Sequence, residues 1–236
     1  MAKSKTKTRT KTKTTKVNSK KAFNNYEKAL QYLCTRTDYE NEKNYRYNVN
    51  TFDLNRMKKL LSLLANPHKK TPAVHIAGTK GKGSTATMLS KMLEANGYKV
   101  GLYTSPHLIS MHERIVVDSE MISKPQMLGL INRIYAPVEK LAKKDPPTFF
   151  EIITALAFMH FADSQVDIAV IEVGMGGRLD STNLIKPLVV GVTSLSIDHQ
   201  MQLGTSLEQI TKEKAGVFKP NIPAVTVKQK PEALKV

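Results

Sequence analysis

The chain has 236 residues and a formal net charge of +16, from 36 Lys and Arg against 20 Asp and Glu. This length gives room for one large domain or two small ones around a substantial apolar core. The single cysteine, Cys34, excludes an intramolecular disulfide framework and a thiolate zinc cluster and favours a cytoplasmic location, and no apolar run approaches the ~20 residues that cross a bilayer.

The first 23 residues differ in composition from the rest of the chain. Nine Lys or Arg precede residue 22 and alternate with Thr and Ser, without any acidic residue. We predict a disordered basic tail over residues 1–23, which has nothing to bury and repels itself. Its two interpretations are an electrostatic contact with nucleic acid and a solvated extension, and we favour the extension. Without the nine, 27 basic residues face 20 acidic ones, a surplus of seven.

Residues 24–64 carry two helical patterns, and Pro67 closes the second. After them, short apolar runs rich in β-branched residues alternate with helical patterns. The runs cover residues 73–77, 98–103, 166–173, 188–195 and 222–227, and the helical patterns cover 84–96, 124–142 with a break at Pro137, 149–162 and 206–218. This alternation predicts an α/β domain over residues 24–236, with a mostly parallel sheet and helices on both faces.

A glycine-rich segment, GTKGKGST, follows the first apolar run and opens a helical pattern. Glycines let backbone N–H groups turn toward phosphate oxygens, and the helix N-terminus favours the same anion. Lys82 supplies a positive charge, and Ser84 or Thr85 supplies a hydroxyl for Mg²⁺. The segment is not a standard Walker A motif, because Gly83 follows Lys82. We predict an ATP site made of Gly78, Thr79, Lys80, Gly81, Lys82, Gly83, Ser84 and Thr85.

Small and polar residues follow the other apolar runs. Ser105 follows the second run, residues 174–183 follow the third, and Asp198 and His199 follow the fourth. Each alone is explained as well by a turn or a cap. Ligands of open α/β sheets bind beyond the carboxyl ends of the strands, and a Mg-nucleotide needs ligands from several of them. Together with the glycine-rich segment, these residues therefore predict one nucleotide crevice.

Two further charged residues have two interpretations each. Glu151 begins a helical pattern with almost no other charge, so it either interacts with the helix dipole or ligates a metal. Lys214 shares a helix face with Ile210 and Val217. Burial there would lower its proton affinity and make the amine reactive, whereas an extended side chain would carry the charge to the surface. Position alone favours the surface.

Seven segments, taken together, resemble the folylpolyglutamate synthase and dihydrofolate synthase family of the Mur ligase superfamily. They are FDLNRMKKLLSLLANPH, VHIAGTKGKGST, GLYTSPHL with HERI, TFFE, VIEVGMGGRLDSTN, SIDH and EKAGVFK, and they span residues 44–227 approximately. The resemblance implies a P-loop NTPase-like fold, the Mur ligase central domain. It also implies an ATP-dependent ligase that phosphorylates a folate carboxylate and lets the amino group of L-glutamate displace the phosphate.

The resemblance also implies roles for individual residues. The nucleotide phosphates would be bound by Gly81, Lys82 and Ser84, and Mg²⁺ by Ser84, Ser105, Glu151 and His199. Lys214 matches a family lysine that carbon dioxide carbamylates, which reverses the interpretation from position alone, and it would help to orient a second metal. The set Lys82, Lys214 and His199 would be catalytic, and Arg178, Asp180 and Asn183 would shape the ATP side of the cleft.

Two departures from the family pattern stand out. Lys80 occupies a position where many members carry Asn. Family members also continue well beyond the position of Val236, so we expect this chain to lack the smaller C-terminal domain and to be inactive alone. The alternative function is a non-catalytic nucleotide-binding module whose tail contacts nucleic acid. A cell-wall ligase is a third candidate, against which SPHL and HERI favour folate. We expect a monomer without membrane contact.

Overall fold

The structure, a computed structural model, describes residues 22–40, 52 and 54–236. The predicted basic tail lies outside these residues except for Ala22 and Phe23. The Phe23 backbone N–H donates to Asn132 Oδ1 (2.8 Å), and its ring centroid lies 5.1 Å from that of Tyr32. Phe23 therefore belongs to the folded part of the chain, one residue before the predicted boundary.

A seven-stranded sheet forms the centre of the described chain. Its strands are β1 Ala73–Ala77, β2 Val100–Tyr103, β3 Ile115–Val117, β4 Glu120–Met121, β5 Ile168–Glu172, β6 Val189–Val192 and β7 Ala224–Thr226. They lie in the order β4-β3-β2-β5-β1-β6-β7. The last five strands in this order, β2, β5, β1, β6 and β7, run parallel. The predicted mostly parallel sheet is confirmed, with four of the five predicted strands two to four residues shorter than their predicted runs.

The β3–β4 hairpin was not predicted. It extends the sheet with antiparallel pairing to β2. Asp118 and Ser119 join its strands with φ of 48° and 70°, as in a two-residue hairpin turn of the primed type. Strands of three and two residues are too short to show an alternation of apolar and polar side chains.

Helices cover both faces of the sheet, as predicted. The described α helices are α1 Tyr26–Cys34, α2 Leu54–Leu63, α3 Lys82–Ala95, α4 Lys124–Ala142, α5 Phe149–Asp163, α6 Gln200–Leu203, α7 Leu207–Ala215 and α8 Pro231–Leu234. The face that carries Val74 and Val170 packs against α3, and the opposite face packs against the almost wholly buried α5. None of the described helices is long and apolar enough to cross a membrane.

The predicted break at Pro137 is wrong, because α4 continues through this residue. A proline inside a helix removes one backbone hydrogen bond and costs about 3 kcal/mol. Ile134 and Val138 lie on either side of Pro137 and are completely buried. Their packing against the core holds the helix together across the missing hydrogen bond.

The carboxyl ends of β1, β2, β5 and β6 lie at one edge of the sheet, because these strands are parallel and adjacent. Four loops leave this edge. We call them the phosphate loop (residues 78–83), the β2 loop (104–110), the β5 loop (173–183) and the β6 loop (193–199). In open α/β sheets this edge is where ligands bind.

Candidate active site

The phosphate loop has the backbone geometry that its glycines predict. Gly78 has a φ of +143°, and a Cβ atom there would lie 1.9 Å from Thr193 Oγ1. Gly81, with a φ of +81°, caps the N-terminus of α3. This 14-residue helix therefore begins at Lys82, two residues before the predicted start. The helix N-terminus and Lys82 together give this edge of the sheet a positive potential.

Glu172, at the end of β5, lies against the phosphate loop and was missed in the sequence analysis. Its Oε2 accepts a hydrogen bond from the Ser105 backbone N–H (3.1 Å), and the Gly83 N–H also donates to this carboxylate. Only 4% of Glu172 is exposed, and burial raises the pKa of its carboxyl. The available signal was a carboxylate near the end of the run DIAVIEV, which is apolar between Asp167 and Glu172.

Glu151, in the first turn of α5, is already paired. Its Oε2 accepts hydrogen bonds from Arg56 Nε (2.7 Å) and from the backbone N–H of Thr148 (2.8 Å). It thereby forms the capping box of α5, which matches the first of its two predicted interpretations. Burial raises the pKa of the Glu151 carboxyl, although Arg56 opposes this shift.

A second buried arginine, Arg114, supports the β2 loop. Its guanidinium forms a bidentate ion pair with Glu40 (3.0 and 2.5 Å), and its Nε donates to His107 Nδ1 (2.8 Å). Only 1% of Arg114 is exposed. These bonds fix His107, two residues after Ser105, and connect the β2 loop to the segment before α2.

The β5 loop is held closed by Asp180. Its carboxylate accepts hydrogen bonds from the backbone N–H groups of Met175 (3.0 Å) and Thr182 (2.9 Å) and from the Thr182 hydroxyl (2.5 Å). The Thr182 hydroxyl also lies 2.8 Å from Nε2 of the fully buried His75 in β1. Since the hydroxyl donates to Asp180, it accepts from His75. Asp180 thus fixes the conformation of the β5 loop.

Arg178 and Asn183, at the far end of the β5 loop, bind α7 and the residues that follow it. Arg178 forms a two-pronged ion pair with Glu213 (3.0 and 2.9 Å). Asn183 Nδ2 donates to the carbonyl of Gly216 (2.9 Å), and its Oδ1 accepts from Lys219 Nζ (2.7 Å). Both residues therefore tie the wall of the cleft to α7.

Lys214 lies buried beneath the phosphate loop, which corrects the surface position expected from its place in the sequence alone. It is 3% exposed, and its Nζ donates to the Gly78 carbonyl (2.8 Å). Burial, and secondarily the charge of Lys82, lowers its pKa to about 8. A substantial fraction of such amines is neutral near pH 8, and neutral amines are nucleophilic.

His199 closes the β6 loop beside the cavity. Its φ of +48° is left-handed, and its backbone N–H donates to Asp198 Oδ1 (2.8 Å). About half of its side chain is exposed, and its Nε2 lies 4.0 Å from Asp198 Oδ2. The imidazole is therefore accessible to a ligand in the cavity.

A cavity of about 700 Å³ lies at this edge of the sheet. Its wall includes five of the predicted site residues, namely Lys82, Ser105, Glu151, Asp180 and His199. The rings of Tyr39, Phe52 and Phe150 line it as well. Within residues 22–40, 52 and 54–236 there is no cluster of three or more His, Cys, Asp or Glu that could hold a metal. Mg²⁺ commonly binds through one or two carboxylates together with substrate phosphates.

Comparison with known proteins identifies similar sequences and structures. Residues 76–231 match the Mur ligase middle domain. The chain is 46% identical over 186 residues to dihydrofolate synthase/folylpolyglutamate synthase of Bacillus subtilis, covering 78% of this chain and 43% of that protein. It is 43% identical over 189 residues to folylpolyglutamate synthase of Lacticaseibacillus casei, covering 79% and 44%.

Solved structures agree with these sequence matches. A structure described as an FPGS-AMPPCP-folate complex superposes with a TM-score of 0.81 at 39% identity, over 89% of this chain and 50% of that one. The chain thus spans less than half the length of the two curated relatives and half of the solved chain.

Proposed function

This chain belongs to the Mur ligase family, and from that premise we propose that the protein is an ATP-dependent ligase that joins L-glutamate to a folate. The relatives named folylpolyglutamate synthase support this activity. Because the chain spans less than half their length, we propose that it supplies the nucleotide-binding part and that further residues complete the glutamate site. The acceptor would be dihydropteroate or a tetrahydrofolate polyglutamate.

One observation carries the proposal: Lys82 of the phosphate loop lines the same cavity as Ser105, His199 and a set of aromatic rings. We assign the nucleotide phosphates to the backbone N–H groups of Gly81 and Lys82, to the Lys82 side chain and to Ser84. The N–H groups of Thr79 and Gly83 already bind Ser194 and Glu172. Folate would occupy the part of the cavity near Tyr39, Phe52 and Phe150, because flat heterocycles stack well on aromatic side chains. A similar structure described as an FPGS-AMPPCP-folate complex supports a site that takes both a nucleotide analogue and a folate.

The residues present also fit Mg²⁺. Hard oxygen ligands suit this ion, and Ser84, Ser105 and Glu172 offer them beside the phosphate loop. We add Glu172 to the predicted ligands and assign Glu151 to Arg56, since its Oε2 is already paired. His199 stays in the proposed set because its imidazole lines the cavity. Bound there, Mg²⁺ would supply positive charge that offsets the charge of the phosphoryl group during transfer.

The chain's own groups have definable tasks in this reaction. Lys82 and the phosphate-loop N–H groups would hold the transferring phosphoryl group and stabilise its charge. A phosphorylated folate carboxylate has a leaving group that a free carboxylate lacks, so the glutamate amine can form the amide with release of phosphate. Lys214 Nζ donates to the Gly78 carbonyl, so its carbamylated form would place a negative charge beside the phosphate loop. Carbamylation stays a prediction, as do a monomeric state and a cytoplasmic location.

The proposal predicts how ATP turnover depends on substrates. ADP release should require both a folate and L-glutamate, and Lys82→Ala should remove it, because the phosphates lose their charged side-chain ligand. Lys91→Ala, which removes an exposed lysine later in α3, is the matched control and should retain turnover. Turnover at the same rate without glutamate would contradict the proposal.

A further inference from the structure

The phosphate loop and the β6 loop are joined by hydrogen bonds centred on Thr79. The Thr79 backbone N–H donates to the Ser194 carbonyl (2.9 Å). Its hydroxyl donates to the Ser196 carbonyl (3.2 Å) and accepts from the Ser196 backbone N–H (3.1 Å). Thr79 is only 8% exposed. One side chain thus uses both its donor and its acceptor to bind the backbone of a loop 117 residues away.

The two loops are also in contact on either side of Thr79. A Cβ at Gly78 would lie 1.9 Å from the Thr193 hydroxyl oxygen, so the Gly78 backbone packs directly against the Thr193 side chain. On the other side, the Ser194 hydroxyl donates to the Lys80 carbonyl (3.4 Å). The contact therefore extends over three consecutive residues of the phosphate loop and fixes the register between the loops.

This contact lies between two groups that face the cavity. Lys82 follows Thr79 by three residues, and His199 follows Ser196 by three residues. Three residues span at most about 11 Å. A displacement at Thr79 would therefore shift Lys82 and His199 relative to each other, without any change in the rest of the sheet.

We propose that Thr79 is a positioning residue that holds His199 in place relative to the phosphate loop and so determines how strongly Mg²⁺ and nucleotide favour each other's binding. This inference rests on the proposed function, which assigns nucleotide to the phosphate loop and Mg²⁺ to His199 and its neighbours. Thr79 touches neither ligand through its side chain, because its hydroxyl is used up by Ser196.

A purely structural role for Thr79 makes a different prediction. Loss of its hydroxyl would then lower the free energy of unfolding and leave the ligands' mutual effect unchanged. The distinguishing quantity is the ratio of the ADP dissociation constants measured without and with Mg²⁺. This ratio is an equilibrium property of the folded protein, so lower stability alone does not change it.

The test is calorimetric titration of the intact protein with ADP, with and without Mg²⁺. Thr79→Val keeps the side-chain shape and removes both hydroxyl hydrogen bonds, each worth about 1 kcal/mol. We expect the ratio to fall about tenfold. Thr79→Ser keeps the hydroxyl and should restore the ratio. Hydrogen exchange should be faster in residues 194–199 of Thr79→Val and unchanged in residues 168–172.

Thr211→Val is the matched control. Thr211 is 5% exposed, and its hydroxyl donates to the Leu207 carbonyl within α7 (2.7 Å), so this variant loses a hydrogen bond of similar burial that joins no loops. It should keep the wild-type ratio. If Thr79→Val does not fold, Thr79→Cys, whose thiol bonds only weakly, should shift the ratio in the same direction.

Several results would overturn the inference. One is a wild-type ratio in Thr79→Val, or in Thr79→Cys where that variant replaces it, and another is an equal loss of ADP binding with and without Mg²⁺. A tenfold fall of the ratio in Thr211→Val would also overturn it. So would a wild type whose ADP binding does not respond to Mg²⁺. A wild type that does not bind ADP at all would instead contradict the proposed function itself.

Discussion

Two ion pairs of this chain differ in burial and allow the cost of losing an arginine to be compared. Arg56 is 7% exposed and holds the buried carboxylate of Glu151, whereas Arg133 and Asp163 pair at the surface. Arg56→Met should lower the free energy of unfolding by about 3–5 kcal/mol, because Glu151 stays buried without its cation. Arg133→Met should lower it by less than about 1 kcal/mol. Urea unfolding of both variants checks this prediction, and equal losses would contradict it.

The buried imidazole of His75 makes stability depend on pH. Burial, together with the charge of Lys219, lowers its pKa to about 3 from an ordinary value near 6.5. Below pH 6.5 the unfolded chain therefore binds a proton that the folded chain does not, and stability falls as the pH falls toward 3. His75→Gln, which keeps a donor for Thr182, should remove this part of the loss, about 2–3 kcal/mol between pH 6.5 and 4.5.

The measurement for His75 is the free energy of unfolding of both proteins between pH 7 and pH 4.5. The wild type should lose about 2–3 kcal/mol more than His75→Gln as the pH is lowered, because only the wild type carries the histidine. Parallel curves would show that His75 titrates normally in the folded protein.

At the scale of residues, the sequence indicated several residues that line the cavity, but it did not indicate their hydrogen-bond partners. The phosphate loop could be predicted because its glycines, lysine and hydroxyls are consecutive. Glu151 and Glu172 could not be told apart, since each is one carboxylate in an apolar segment and only the fold brings Arg56 to one and Ser105 to the other. Lys214 was ambiguous for the same reason, because its burial depends on the phosphate loop above it.

At the scale of elements, two glycines in regular structure predict opposite responses to alanine. Gly129, in α4, has open space where a Cβ would stand, so Gly129→Ala should raise the free energy of unfolding by about 0.5–1 kcal/mol. Gly101, in β2, has Phe161 of α5 at 2.7 Å from the same position. Gly101→Ala should destabilise the protein by about 1–3 kcal/mol, since the ring has no room to move in a packed core.

Thermal or urea unfolding of the two glycine variants checks these signs. A stabilised Gly101→Ala variant would mean that α5 packs less closely on β2 than the structure has it. A destabilised Gly129→Ala variant would mean that the outer side of α4 is covered.

The strongly patterned elements were the predictable ones. β1, β5 and α5 are mostly apolar because they are almost wholly buried, and their sequences show this directly. The β3–β4 hairpin and the continuity of α4 through Pro137 depend on pairing with β2 and on packing against the core. Neither interaction is visible in a local sequence pattern.

At the scale of the whole molecule, most of the charge excess and the proposed reaction belong to different parts of the chain. Nine of the 36 basic residues precede residue 22, outside the described residues, so the solvated extension stays a prediction and contact with nucleic acid stays its alternative. Most residues that line the cavity lie in the part that matches the Mur ligase middle domain, and Tyr39, Phe52 and Arg56 join them from earlier in the chain. The chain spans less than half the length of the two curated relatives.

The most direct test of the account is the product formed by the intact protein from ATP, a folate and L-glutamate. Mass spectrometry should find the folate heavier by one glutamyl residue, with one ADP released per product, and Lys82→Ala should form neither. ADP release without a glutamylated folate, or the same product yield in the absence of ATP, would contradict the central claim.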